Sequence, residues 1–157
     1  MWRRMRRHWI TDDRIVAYFL LAMRRYFDLG IGAALAATLA FAAFNLGLEP
    51  ALDGLTGRST DALTNGSLAY APAILALAGV AAGLLTPRGL LDPARREAGL
   101  GLLGVAALFA VSLGFRTLDR AVCPVWPLGT HAVWHLLNAG VLYGLIAVAV
   151  RYRRHRS

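Results

Sequence analysis

The sequence predicts an all-α protein, a bundle of helices set in a membrane. Of its 157 residues 57% are hydrophobic and 17% charged, and the mean hydropathy is +0.51, too apolar for a soluble domain of this length. Four apolar stretches, 29–48, 67–86, 98–115 and 131–150, are each long enough at about 1.5 Å per residue to cross a hydrocarbon core of about 30 Å. The basic residues cluster beside the ends of these stretches, as the positive-inside bias requires.

From the N-terminus, Arg3, Arg4, Arg6 and Arg7 open the chain like the basic region of a signal peptide. Asp12, Asp13 and Arg14 then interrupt the apolar run, and no small-residue cleavage site follows, so the segment is read as part of the mature chain. Ile15 to Met23 is short, but with its polar flanks it is counted as a fifth crossing. The small residues of GIGAALAA (30–37) and GLGLLG (99–104) allow helices to approach closely. Asn65-Gly66-Ser67 fits the N-glycosylation pattern, but it abuts an apolar segment and reads as a helix start with Ser67 as cap. The sequence divides no further, and residues 1–157 are read as a single membrane domain.

Net charge +8 comes from 17 basic residues, all arginine, against 9 acidic ones. A nucleic-acid partner is rejected, because Arg24-Arg25, Arg95-Arg96 and Arg151 to Arg156 flank apolar segments rather than forming a stripe of their own. PRGLLDPARRE (87–97) is basic, whereas 49–61 holds Glu49, Asp53 and Asp61 against Arg58. The asymmetry places the C-terminus in the cytoplasm, as in a bacterial inner-membrane protein, and the 116–130 connection on the opposite side. With five crossings the N-terminal arginines then fall on the outer side, against the rule. The single cysteine, Cys123, excludes an intrachain disulfide.

The last apolar segment begins GTHAVWHLLNAGVLYG (129–144). Histidines four residues apart share one helical face, so His131 and His135 can present two imidazoles to one ion. Neutral imidazole suits zinc, and a catalytic zinc takes three protein ligands and leaves a position for water. Interfacial hydrogen bonding and haem ligation are the alternatives that spacing leaves open. Upstream, Asp119 reads as a cap or a partner of Arg116 or Arg120.

DRAVCPVWPLGTHAVWHLLNAGVLY (119–143) resembles the C-terminal signature of the alkaline ceramidase family, in which an Asp and a Cys precede a helix bearing H-x-x-W-H. His131, Trp134 and His135 fit it. NGSLAYAPAILAL (65–77) is similar to an interior helix of bacterial members, and DRIVAYFLLAMRRYF (13–27) to the helix that opens on the family's Asp. The resemblance implies about five helices matching the C-terminal five of a seven-helix fold. It implies a membrane zinc amidohydrolase acting on the amide of ceramide or a related N-acyl lipid, with zinc as cofactor and a membrane lipid as partner. His131 and His135 take the places of metal ligands, and Asp13, ahead of Asp12, that of the catalytic acid near the metal-activated water.

The family's third histidine, in an S-x-x-x-H arrangement upstream of the Asp, is unmatched. His8 follows Arg4 where the serine belongs, and His155 lies about 30 Å along the helix from His135. The expectation is therefore a chain lacking the first two family helices. A reading from another class is a non-catalytic membrane protein, either a haem-binding or scaffolding subunit or an inactive fragment.

Overall fold

The computed structural model describes residues 13–124 and 129–156, with side chains at 19–124 and 129–154. Every regular element among them is helical. Helices α1 (Asp13–Phe27) and α2 (Ile31–Thr56) belong to one compact unit, Met1–Gly57. A second unit, Arg58–Ser157, holds α3 (Thr60–Thr64), a 3-10 turn (Leu68–Tyr70), α4 (Ala71–Leu84), α5 (Pro87–Leu90), α6 (Pro93–Val122) and α7 (His131–Arg156). Asp12, His8 and the leading arginines lie outside the described residues, as do the side chains of Asp13 and His155.

Among the described residues three helices, α2, α6 and α7, are long and apolar enough to cross a membrane. The other two expected crossings coincide with shorter helices. The apolar segment Leu68–Leu84 combines the 3-10 turn and α4. Helix α1 has 15 residues and is amphipathic, giving a length of about 22 Å against a core of about 30 Å.

Within the first unit α1 packs on α2, and Phe19 stacks on Phe41 with centroids 4.6 Å apart. Buried Thr38 satisfies its hydroxyl by donating to the Ala34 carbonyl one turn back, at 2.7 Å. Helix α2 runs past the expected end at residue 48, through Pro50, and stops at Gly57, whose φ of 63° forms a left-handed cap. Pro50 forfeits one backbone hydrogen bond, and the acidic stretch after Leu48 is thereby partly helix rather than connection.

In the second unit α6 is central, packed against α4 on one side and α7 on the other. Its apolar window is 39% buried, whereas that of α7 is 11% buried. Leu136, Leu142, Tyr143 and Ile146 remain exposed on α7, a surface suited to lipid. Asp92 starts α6 earlier than expected: its Oδ1 accepts from the N–H groups of Ala94 and Arg95 at 2.9 and 3.3 Å. Pro93 follows at the first helical position, so the basic 93–97 segment is helix rather than connection.

Small residues set the register of the antiparallel α6–α7 pair. A Cβ on Gly101 would lie 2.6 Å from Val148 Cγ2, and one on Gly144 2.7 Å from Val105 Cγ2. Gly99 gives the same closeness to Leu85, with 2.7 Å to its Cγ. The expectation for 99–104 therefore holds at Gly99 and Gly101, while Gly104, Gly30 and Gly32 face open space. At the far end Arg151 pairs with Glu97 at 3.7 Å, an exposed contact of small energetic weight.

Asn65-Gly66-Ser67 joins α3 to α4 and ties both to α6. Asn65 closes α3 in the left-handed region, φ 52°, and its Nδ2 donates to the Arg116 carbonyl at 2.8 Å. Ser67 makes no capping bond; its buried hydroxyl instead meets Thr117 Oγ1 at 2.9 Å and the Leu113 carbonyl at 3.4 Å. Burial against α6 outweighs capping, because a hydroxyl turned into a packed interface needs partners there.

Candidate functional site

The site lies where α6 ends and α7 begins. Thr130 precedes α7, and its carbonyl accepts the Trp134 N–H at 3.0 Å as the helix's first turn closes. Its own N–H donates to Asp119 Oδ1 at 2.7 Å, and its hydroxyl donates to the Phe115 carbonyl at 2.6 Å. Asp119 thus fastens the start of α7 to the last turns of α6. Gly129 makes this possible: its φ is 57°, and a Cβ there would stand 2.5 Å from Asp119 Oδ1 and 2.9 Å from Cys123 Sγ. Only a residue without a side chain gives the carboxylate that approach.

Among the described residues Asp119 therefore pairs with neither Arg116 nor Arg120; of the two roles expected for it, it takes one close to a cap, on the residue that precedes α7. Its second oxygen, Oδ2, lies 3.9 Å from His131 Nδ1. The Asp119 side chain is 16% exposed and that of His131 56%, so a sheltered carboxylate stands behind an accessible imidazole. At 3.9 Å the contact is electrostatic and longer than a hydrogen bond.

His131 Nε2 and His135 Nε2 are 3.1 Å apart. This is a hydrogen bond between the two rings, and it is also close to the separation of about 3.3 Å between two ligand nitrogens set about 2.0–2.1 Å from a tetrahedral zinc. Trp134 supports both rings, with centroid distances of 5.1 Å to His131 and 4.3 Å to His135. It is 8% exposed, which anchors the first turn of α7 in the interface with α6. One turn further, Ser112 Oγ is fully buried and lies 3.0 Å from Asn138 Oδ1 and 3.3 Å from the Trp134 carbonyl.

The expected site residues are thus partly gathered. His131 and His135 come together on one face, whereas Asp13 opens α1 in the other unit with its side chain outside the described residues. Among the described residues no group of three or more His, Cys, Asp or Glu side chains converges as an ion would require. Cys123 is exposed and free beside Gly129. Sequence reasoning missed the Asp119–His131 relation, because the turn that joins residues 12 apart is set by tertiary packing. The signal available was Gly129-Thr130 directly before the histidines.

No protein-family model, curated protein or solved structure matches this chain.

Proposed function

We propose that this chain carries the metal centre of a zinc-dependent membrane amidohydrolase, ceramidase-like in its use of an H-x-x-W-H helix. The proposed substrate is the amide of ceramide or a related N-acyl lipid. The observation that carries the reading is the 3.1 Å separation of the His131 and His135 Nε2 atoms. An axial haem pair is served less well, since axial ligands approach the iron from opposite faces and these two stand on one.

On this reading His131 and His135 hold the ion, with the Asp119 carboxylate behind His131. Trp134 and Thr130 fix the turn on which both histidines stand. When bound, zinc would polarise a carbonyl and activate water at neutral pH. The family resemblance gives Asp13 the part of the carboxylate that moves a proton to the departing amine. The charge asymmetry puts this end of the helices on the non-cytoplasmic side of a bacterial inner membrane.

Zinc content tests the reading. Full-length protein in neutral detergent, stripped with chelator and reloaded, should retain about one zinc per chain, and His131→Ala or His135→Ala should each abolish retention. Undiminished zinc in both variants, or a haem spectrum in the wild type, would overturn it.

A further inference from the structure

Asn138 stands three residues past His135, in a helix long and apolar enough to cross a membrane. Its Oδ1 lies 3.0 Å from the fully buried Ser112 Oγ of α6, whose hydroxyl donates to it. Oδ1 is thereby turned into the α6–α7 interface, and Nδ2, on the other arm of the same planar amide, points another way. Asn138 is half-buried, and Nδ2 is not among the buried unpaired polar atoms of the described residues, so this donor reaches the helix surface. A primary amide open to hydrocarbon is costly unless an acceptor comes to it.

The stripe of α7 that carries Asn138 is ordered. His131, His135, Asn138, Leu142 and Ile146 follow one another at spacings of three or four residues, which keeps them on one side of a helix. Both histidines, Leu142 and Ile146 are exposed, so the stripe is open to a molecule lying beside α7. Its polar part is the end with the histidines, and its apolar part runs about 12 Å from Asn138 to Ile146. A lipid amide has the same order: the reacting carbon, its carbonyl oxygen, then a hydrocarbon tail.

We infer that Asn138 is a substrate-binding residue: its Nδ2 donates to the acyl carbonyl oxygen of a lipid amide whose tail lies along Leu142 and Ile146. Residues three apart on a helix stand about 5–6 Å apart at Cβ, so a carbonyl engaged by Asn138 is held beside the histidine pair. Ser112 fixes the amide plane, and a donor already oriented loses little freedom when the carbonyl arrives. The carbonyl in turn satisfies a group that hydrocarbon tails cannot. The assignment rests on the lipid-amide reading of the histidine pair, but the hydrogen bond itself needs no metal.

The test uses metal-free, full-length protein in neutral detergent and short-chain ceramide labelled with carbon-13 at the acyl carbonyl. Infrared difference spectra read the carbonyl stretch of the bound lipid, which falls when its oxygen accepts a hydrogen bond, and native mass spectrometry reads affinity. The labelled carbonyl should absorb at lower frequency on the wild type than on Asn138→Leu, which fills a similar volume without a donor and leaves Ser112 the Trp134 carbonyl as acceptor. N138L should also bind the lipid about threefold to tenfold more weakly. Ser112→Ala keeps the donor but frees the amide plane and should broaden the band, which keeps the test decisive if N138L does not fold. Equal frequency and affinity in wild type and N138L, or a band unchanged in S112A, would overturn the assignment while zinc retention, measured separately, still upheld the metal centre. No binding of ceramide to the wild type would overturn both this assignment and the lipid-amide reading.

Discussion

The Asp119 carboxylate stands behind His131, with Oδ2 3.9 Å from Nδ1, while the same carboxylate holds the Thr130 N–H at 2.7 Å through Oδ1. One residue therefore sets both the position of the α7 start and the orientation of a proposed ligand. Partners of this kind are worth about 10–100-fold in metal affinity. Asp119→Asn should lower zinc affinity within that range, as read by chelator competition. Zinc affinity equal to wild type in D119N would separate Asp119 from the metal site and leave it a purely structural role.

Gly129→Ala should destabilise the chain by about 1–3 kcal/mol, because alanine is strained at positive φ and its Cβ would enter the space of Asp119 Oδ1. Thermal unfolding in detergent measures this. The same variant should bind zinc more weakly, since the carboxylate must shift.

At the α3–α4 junction two properties of Asn65 can be separated. Asn65→Gly keeps the left-handed conformation but loses the hydrogen bond to the Arg116 carbonyl, costing about 1 kcal/mol. Asn65→Ala loses both and should cost more. Melting temperatures should fall in the order wild type, N65G, N65A; an N65A protein as stable as N65G would remove the conformational part of the argument.

Close packing of α6 on α7 is testable by compensation. Gly144→Ala places a methyl group against Val105 Cγ2, an overpacking that costs about 1–3 kcal/mol. Val105→Ala in the G144A background should recover part of the loss, giving a coupling energy that neighbouring but non-touching pairs lack.

Cys123 is exposed and free, so the proposed orientation can be read from it directly. In intact cells a membrane-impermeant thiol reagent should label it from the non-cytoplasmic side. Labelling confined to lysed cells would reverse the topology.

Sequence alone determined the helical class, the positions of the apolar segments and the pairing of His131 with His135, because each rests on local periodicity. Apolar runs long enough for a bilayer allow little besides helices, and an i, i+4 pair on a helix meets wherever that helix sits. Helix ends were less legible. The apolar stretches run to residue 48 and from residue 98, yet α2 continues through Pro50 to Thr56 and α6 begins at Pro93.

Tertiary structure decided what surrounds the pair. Asp119 reads as a cap or a partner of Arg116 or Arg120, Ser67 as a cap, and Arg116 as one more basic residue near a helix end. Folding α6 back on α7 through a glycine turn instead puts Asp119 behind His131, and packing α4 on α6 turns Ser67 inward and seats Arg116 between Tyr70 and Trp134. These relations join residues 12 to 50 positions apart, and no local pattern encodes them: which partner a polar side chain finds depends on the neighbour that packing brings within reach, and a buried polar group takes the partner it is given.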